Sequence, residues 1–497
     1  MPATLIAPQK IRNLGVYGVI RSAEVDDHLI PDGAVTEAIN THFDRKGAVT
    51  VRLGIAGLGA TVASGYPIWG LHNTQNGTML AVISQAASAR IYAYGGASWA
   101  SNLTSGTANV VIRFVNFADR IIALNWGSAT SMYSSVQFWA GRENNATWTT
   151  SGNPINTQGL TDDVAASPQP QYGEVYKSRM YVAGGDTDNS NIRLSRLYYS
   201  SVISSAGNIT WNPSTDYVDL NPNDGENITG LKRYSLELLV FKPNYIYRFR
   251  TTGTDPDPLI KVGTRSQESV IEGKRGLYFH HDTGLYRYSG GYPVDISRAI
   301  SDVVDAIPYG QFDNIVAWKD GDHIYWAIGN LTIDGVSWPN TVVRYTESSE
   351  LWTVYSYSTE IRLASDYNSG AAISRILGLG NGAVATVNSG TTDIGESIKY
   401  RMITKWYEWD EIYYQKIIQH IVALCEKAQG TMTMYQIDGE QEWRDLGQLR
   451  KYMTHFQPIS IKHHRIRFKI AGITSDEAPV FLGWEIPKII NTGEIVK

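Results

Sequence analysis

The 497-residue chain contains a single cysteine, and charged residues make up only 18% of it. One thiol cannot form a disulfide within the chain, so the fold does not depend on intramolecular disulfides. The apolar neighbours Ile421, Val422 and Leu424 predict that Cys425 is a small buried core residue rather than a reactive thiol. No run of 18 apolar residues occurs, which predicts no membrane-spanning helix. Residues 1–15 also lack the apolar core of a signal peptide.

The motifs of the common enzyme and cofactor classes are missing as well. The sequence has no Gly-Lys-Thr phosphate loop, no His-Glu-x-x-His helix, no paired-cysteine metal site and no Gly-x-Ser-x-Gly elbow. Adjacent histidines occur at His280-His281 and His463-His464. Neighbours on a strand point to opposite faces, so neither pair can chelate one ion in a regular strand. We therefore expect no enzymatic activity, no cofactor and no metal site.

One loop is rich in side-chain oxygens, with Asp219, Asn221, Asn223 and Asp224 in close succession. Oxygen ligands of this kind bind calcium. Their spacing departs from the EF-hand pattern, however, and a solvated turn is the favoured interpretation of this loop.

Tyrosine, tryptophan and glycine are abundant, with 30, 14 and 46 copies. Aromatic residues suit half-buried strands and glycine suits tight turns, so the composition predicts an all-β protein with many turns. The net charge of -5 argues against a dedicated nucleic-acid binder. The low charge content also fits a protein that buries surface against partners.

A short apolar strand followed by a tyrosine-rich strand, often with a tryptophan segment after it, recurs along the chain. The seven copies begin at 78–83, 120–124, 179–183, 236–241, 276–280, 323–328 and 376–379. Their spacing of roughly 40–60 residues is close to the period of propeller blades. The pattern predicts a β-propeller over residues 70–392 with about seven blades, six being the alternative, and a large β-sandwich is the competing fold. Trp211, Trp338 and Trp352 are predicted to pack between strands of the blades.

The two ends of the chain depart from this pattern. Residues 1–69 are irregular and predict an extended arm, in which Val49–Val51 adds a strand to the last blade. Residues 393–497 predict a β-sandwich, with longer strands over 397–410, 415–426, 430–437, 464–471 and 480–490. The clearest helix pattern, with apolar residues at helical spacing, covers 296–307 and ends before Pro308.

The densest positive run of the chain is the segment from Lys462 to Lys469. Arg465, Arg467 and Lys469 alternate with apolar residues, as expected for a strand with one wet face. A solvated sheet face is one interpretation of this basic stripe, and contact with DNA or with an acidic neighbouring subunit is the other. Arg465, Arg467 and Lys469 are therefore candidate residues of a subunit interface or a lumen.

Residues 30–54 resemble the opening of the propeller-type tail proteins of tailed bacteriophages. That opening has a prolonged loop, an asparagine, an acidic turn, a glycine and then an arginine followed shortly by glycine, here Asn40, Asp44, Gly47 and Arg52-Leu53-Gly54. The family's usual Arg-Pro-Gly is altered at Leu53. The insert Asp295-Ile296-Ser297 and the strand Ile324-Tyr325-Trp326 are also similar to that family.

The family consists of the tail hub, nozzle or DNA-stabilisation proteins of short-tailed phages. The resemblance implies a structural virion protein that is made in the host cytoplasm and assembles into a ring, expected to be a hexamer, below the portal and adaptor. Such a ring contacts other tail proteins, lines part of the exit channel for genomic DNA without sequence specificity, and carries fibres or a needle; it does not insert into membranes. Two alternatives remain open, a receptor- or carbohydrate-binding propeller at the tail tip and a propeller glycosidase. Arginines and carboxylates gathered at one central mouth would favour the enzyme.

Overall fold

The computed structural model describes most of the chain. The residues described are 4–21, 25–26, 29–43, 47–74, 77–85, 88–117, 120–125, 137–140, 148–149, 170–184, 194–203, 210, 212, 215–250, 256–333, 335–370, 372–409, 413–428, 430–457, 459–474 and 477–495.

The N-terminal segment forms six short strands that join sheets built mainly from later parts of the chain. They are β1 (Thr4–Ile6), β2 (Gln9–Arg12), β3 (Val35–Ile39), β4 (Thr41–Phe43), β5 (Val49–Val51) and β6 (Ile55–Gly57).

Five separate antiparallel sheets follow, each with four strands paired in chain order. The first contains β7 (Ile68–Asn73), β8 (Met79–Gln85), β9 (Ser88–Tyr94) and β10 (Trp99–Thr107). The second contains β11 (Arg113–Phe117), β12 (Arg120–Leu124), β13 (Gln137–Ala140) and β14 (Trp148–Thr149), and the third β15 (Tyr172–Tyr176), β16 (Arg179–Ala183), β17 (Arg196–Tyr199) and β18 (Tyr217–Asp219). The fourth contains β19 (Gly230–Tyr234), β20 (Glu237–Phe241), β21 (Ile246–Phe249) and β22 (Asp257–Ile260), and the fifth β23 (Ile271–Glu272), β24 (Leu277–His281), β25 (Gly284–Tyr288) and β26 (Val294–Asp295).

Two further groups of consecutive strands belong to larger sheets. One group is β27 (Val316–Asp320), β28 (His323–Ile333), β29 (Val336–Thr346) and β30 (Leu351–Ser356). The other is β31 (Ile361–Asn368), β32 (Ile373–Leu379) and β33 (Val384–Val387), which β6 extends, followed by β34 (Thr392–Asp393) and β35 (Glu396–Ser397).

The sheets are arranged like the blades of a propeller. The first strand of one group contacts the first strand of the next, from β7 through β11 and β15 to β19, and from β23 through β27 and β31 back to β7. Buried apolar side chains fill the space between neighbouring sheets; Val182 and Leu124, for example, belong to one cluster. The prediction of an all-β, propeller-like fold is therefore confirmed.

A strand of the N-terminal segment does join the last group of propeller strands, but it lies slightly beyond the predicted residues Val49–Val51. It is β6, which begins at Ile55 and pairs with β33. Val49 and Val51 are both buried, and their strand pairs instead with β43 (Val480–Ile495) at the far end of the chain. A strand with two buried valines needs apolar partners on that face, and the C-terminal strands supply them.

The C-terminal strands share their two sheets with the N-terminal segment. They are β36 (Lys399–Thr404), β37 (Tyr414–Lys427), β38 (Met432–Ile437), β39 (Arg444–Gln448), β40 (Tyr452–Phe456), β41 (Ile461–His463), β42 (Ile466–Ile473) and β43. One sheet has the order β4-β5-β43-β37-β40, with β1 and β2 paired to β43 and β41 paired to β37. The other is a nine-stranded sheet, β27-β28-β29-β30-β3-β36-β42-β38-β39, that runs from the propeller into the C-terminal part through β3.

These two sheets pack against each other around Trp484 of β43. Its ring lies 5.1 Å from that of Phe468 on β42, and its Nε1 donates a 3.0 Å hydrogen bond to Thr433 Oγ1 on β38. Cys425 lies in the same core, 1% exposed, and donates through Sγ to the Arg450 carbonyl at 2.8 Å. Its prediction as a buried core residue is confirmed, and burial raises the pKa of the thiol.

The predicted helix over 296–307 is shorter than expected. It consists of a 3-10 turn at Arg298–Ile300 and a single α-helical turn, α1 (Ser301–Asp305), while further 3-10 turns lie at Gln267–Ser269 and Tyr309–Asn314. Ile300 leaves helical geometry at φ -126 and ψ 31, which interrupts the helix. The helical spacing of apolar residues nevertheless predicted correctly which side chains are buried, since Ile300, Val303 and Ile307 all lie in the core. None of the helices in the described residues is long and apolar enough to cross a membrane.

Two of the three predicted packing tryptophans can be placed. Trp338 and Trp352 are 3% and 2% exposed, which confirms that they are core residues. Trp352 packs 4.7 Å from Tyr345 and donates through Nε1 to the Ile296 carbonyl at 3.1 Å. Trp211 lies outside the described residues.

Candidate functional site

The basic stripe lies on the outer face of β42, in the C-terminal part of the nine-stranded sheet. Arg467 and Lys469 belong to β42 and Arg465 immediately precedes it, and all three side chains are half-buried. The intervening Ile466 and Phe468 are fully buried, so the predicted alternation of a wet and a dry face is confirmed.

Two tryptophans that the sequence did not single out lie between these cations. The Arg467 guanidinium is 4.5 Å from the ring centroid of Trp406 and 5.2 Å from that of Trp443. Arg465 lies 5.4 Å from Trp406, and the Lys469 ammonium lies 5.2 Å from Trp443. Cations within about 6 Å of an indole face are attracted by its quadrupole. The five side chains therefore form a ladder in which cation and indole alternate.

The neighbouring strand β36 adds two further cations, Lys399 and Arg401. Ile403 pairs with Lys469 and Arg401 pairs with Ala471, so these cations share the outer face with the stripe. Burial and, after it, the charge of Arg401 lower the pKa of Lys469. The face is therefore an accumulation of like charges that lie close enough to interact.

Glu37 of β3 contributes a carboxylate to this face next to the propeller. It binds Arg401, and its Oε2 is 3.6 Å from Arg21 NH1. Among the described residues, no carboxylate lies within salt-bridge distance of Arg465 or Lys469. Glu37 therefore offsets only the part of the positive face next to the propeller.

The propeller contributes a wall to this face through Trp338 on the β28–β29 hairpin. Its ring lies 5.8 Å from the Arg401 guanidinium and 5.5 Å from that of Arg21. Cavities of about 360 Å³, which Arg401 also lines, and about 280 Å³, which Arg467 also lines, both border Trp338. Trp338 Nε1 is buried and has no hydrogen-bond partner among the described residues. We call the surface formed by Trp338 and the cations Lys399, Arg401, Arg465, Arg467 and Lys469 the basic cleft.

The motif that carries the family resemblance forms a buried anchor. Arg52 is 2% exposed and binds both carboxylate oxygens of Asp393, at 2.8 and 2.6 Å. It also donates to Asn40 Oδ1 at 2.8 Å and to the Ser356 carbonyl at 2.9 Å, and its guanidinium lies 4.0 Å from the ring of Tyr357. The anchor thus ties the N-terminal segment to the six-stranded sheet through Asp393 and to the nine-stranded sheet through Ser356.

The glycine of the motif is required by close packing. A Cβ on Gly54 would lie 1.9 Å from the Thr392 carbonyl oxygen, far inside van der Waals contact. Leu53, where the family has proline, is 44% exposed. The position at which this chain has leucine in place of the family's proline is therefore the most accessible of the three motif residues.

A second ion pair crosses the middle of the propeller. Arg113, at the start of β11, binds Glu268 in the turn before β23, with Nε–Oε1 and NH2–Oε2 distances of 2.7 and 2.9 Å. The second and fifth sheets are not neighbours, so this contact spans the central region. Tyr172 of β15 lies 4.5 Å below the guanidinium, and burial raises its pKa. An arginine and a carboxylate therefore do lie together in the central region, as the enzyme alternative predicts, but the two groups bind each other.

The oxygen-rich loop considered for calcium surrounds a lysine. Lys242 is 0% exposed and its Nζ lies 2.7 and 2.9 Å from the two oxygens of Asp224. It also donates to Ser195 Oγ at 2.9 Å and to the Asn221 carbonyl at 3.3 Å. The segment is a turn in which Asn221 and Asn223 are exposed, in agreement with the favoured interpretation, while the Asp224 carboxylate at its edge binds the Lys242 ammonium group. The remaining carboxylate, Asp219, binds Arg196.

The adjacent histidines lie mostly in the core. His280, His281 and His463 are 1%, 6% and 2% exposed. Burial lowers the pKa of His280 to about 3 and that of His463 to about 4. These histidines are therefore neutral at physiological pH.

No family model and no curated protein matches the chain. Among solved structures, a catalytically inactive virginiamycin B lyase from Staphylococcus aureus with quinupristin matches at 13% identity and a TM-score of 0.44, covering 68% of this chain and 99% of that one. The extracellular domain of a one-component system from B. thetaiotaomicron matches at 8% identity and 0.43, covering 87% and 58%. Sqt1 of Saccharomyces cerevisiae matches at 6% identity and 0.39, covering 68% and 100%. At these identities and TM-scores the likenesses carry no argument about what this chain binds or does.

Proposed function

We propose that this protein is a structural component of a bacteriophage tail, a hub or nozzle ring below the portal and adaptor that lines part of the DNA exit channel and carries fibres or a needle. The observation that carries the proposal is the Arg52 anchor. Within residues 30–54, which resemble the family, Arg52 binds Asp393 of the propeller sheet and Asn40, and Asn40 in turn donates to the Lys399 carbonyl of the C-terminal strand β36. The residues that resemble the family therefore stabilise the fold, as expected for a protein with a structural role.

We infer further that the propeller has seven blades and that the C-terminal strands form a β-sandwich. Seven successive groups of strands support the first inference, the last group being completed by β6. The packing of Trp484 against Phe468 between two sheets supports the second. The two modules are unequal, and a ring with heterologous contacts needs two different patches on each subunit.

Purified virions test the assignment. Quantitative mass spectrometry should find the protein at a fixed ratio to the portal, and cryo-electron microscopy should place it as a sixfold ring in the tail. The Arg52→Met variant should be depleted from particles, whereas a variant of the exposed Arg275–Glu350 ion pair should be incorporated normally. Absence of the protein from virions would refute the proposal.

A propeller glycosidase is the second candidate, because Arg113 and Glu268 meet at the centre of the propeller. Glycoside hydrolysis uses a pair of carboxylates, and Glu268 would supply one of them. The purified protein can be screened against host surface polysaccharides, with Glu268→Gln as the matched variant. Hydrolysis that Glu268→Gln abolishes without loss of the fold would favour the enzyme, and no hydrolysis by the wild type favours the structural role.

A further inference from the structure

We propose that the basic cleft is a docking surface for an extended, carboxylate-rich protein segment. The proposal is independent of the tail assignment, because it depends only on the geometry and charge of the cleft. Its partner is defined by chemistry: side-chain carboxylates at alternate positions of an extended chain.

The spacing of the cations suits such a partner. Arg465, Arg467 and Lys469 occupy alternate positions of one strand, so their attachment points repeat about every 6.6–6.8 Å. An extended peptide with acidic residues at every second position repeats at the same distance. The two guanidiniums lie against Trp406 and Trp443 and are therefore ordered before binding. A planar guanidinium held in this way binds a carboxylate through two parallel hydrogen bonds.

The wall of the cleft offers a hydrogen-bond donor to the same partner. Trp338 is 3% exposed, yet its Nε1 has no acceptor among the described residues. Burying a donor without a partner is costly, so this group is expected to be satisfied by something that enters the adjoining cavities. The cavities of about 360 and 280 Å³ next to it have room for side chains of the docked segment.

The same surface is poorly suited to nucleic acid. Glu37 lies within the cleft and Asp445 is close enough to raise the pKa of Lys469, so a continuous phosphate backbone would meet both carboxylates. Duplex DNA presents one charge per about 1.7 Å and is bound by many cations at once, whereas the basic cleft supplies five.

The probe for the test is a fluorescein-labelled peptide of alternating glutamate and serine, titrated with the full-length protein at 50–150 mM NaCl. Its anisotropy should report binding that weakens as salt increases. The triple variant Arg465→Gln, Arg467→Gln, Lys469→Gln should bind at least about tenfold more weakly, equivalent to about 1.4 kcal/mol. The matched control, Lys451→Gln, Lys462→Gln, Lys488→Gln, removes the same charge from exposed positions outside the cleft and should bind like the wild type.

Trp338→Phe provides a separate readout, because it keeps every charge and an aromatic ring beside Arg401 while it removes the indole donor. We expect a severalfold loss of peptide affinity, with the fold verified by circular dichroism and by the urea midpoint. Equal loss in the triple variant and in its control would refute the proposal, because the affinity would then follow net charge alone. A 20-base-pair duplex that binds more tightly than the peptide and loses its affinity in the triple variant would also overturn it, in favour of nucleic acid.

Discussion

Replacing Arg52 with methionine should destabilise the protein more than replacing almost any other charged residue. The side chain is 2% exposed and its partner Asp393 is 4% exposed. Methionine replaces the aliphatic part of the side chain but leaves the Asp393 carboxylate buried without a counter-charge. The Ser356 carbonyl also loses the Arg52 donor, and Asn40 Oδ1 keeps only its bond from the Ser356 amide.

The magnitude follows from the burial of both partners. Removing one partner of a buried ion pair costs about 3–5 kcal/mol. An exposed pair contributes only about 0–1 kcal/mol. Arg275 and Glu350 form such a pair, with side chains 45% and 58% exposed and 3.1 Å between NH1 and Oε1. Arg275→Met is therefore the matched control for Arg52→Met.

The assay is equilibrium unfolding in urea, followed by tryptophan fluorescence, for the wild type, Arg52→Met, Asp393→Leu and the double variant. The double variant should be more stable than the sum of the single losses predicts, because no uncompensated charge remains. Hydrogen exchange should show weakened protection first in β6 and β34, which the anchor connects. An Arg52→Met variant that loses no more than Arg275→Met would refute the reasoning.

Three further outcomes are expected. Lys242→Met should lower the free energy of unfolding by about 3–5 kcal/mol, because Asp224 loses its buried counter-charge; Lys274→Met, which removes an exposed partner of Asp322, should cost less than about 1 kcal/mol in the same urea titration. The free energy of unfolding should fall as the pH decreases from about 6.5 to about 4, because His463 and His280 bind protons in the unfolded state near pH 6.5, whereas burial lowers their native pKa values to about 4 and about 3. His463→Gln should reduce the slope of the unfolding free energy against pH. An unchanged slope would contradict the assignment. Leu53→Pro should be neutral or stabilise the protein by about 0.4–1 kcal/mol, because the Leu53 amide donates no hydrogen bond to the described residues. A thermal melt shows whether stability rises or falls. A large loss of stability would mean that the backbone at this position differs from that of the family.

The repetitive part of the fold was predictable because its signals are local. Strand pairs such as β24 and β25 show apolar and tyrosine-rich segments within a few residues of each other, and their turns have the expected residues. The positions of the N-terminal strands were not predictable in the same way. β5 and β6 are separated by three residues in the sequence yet join different sheets, and only their distant partners β43 and β33 decide which one each joins.

Of the basic cleft, only the cations of the basic stripe could be predicted from the sequence. Arg465, Arg467 and Lys469 stand out because they alternate with apolar residues on one strand. Trp406, Trp443 and Trp338 come from three other segments, and no spacing in the sequence links them to the stripe. Likewise, the oxygen-rich loop at 219–224 is interpreted from the sequence as a solvated turn, and nothing in its spacing predicts that Lys242, which directly follows β20, binds its Asp224 carboxylate.

The pairing of the first strands with the last has a consequence for synthesis. β1 and β2 pair with β43, and β6 pairs with β33, so these three strands have no partner until strands hundreds of residues later in the sequence have been synthesised. Contacts of such long sequence separation form slowly. The separate four-stranded sheets can form as the chain emerges, whereas β1, β2 and β6 must remain unpaired until β33 and β43 follow. The unpaired early strands are therefore the stage at which a chaperone would be needed.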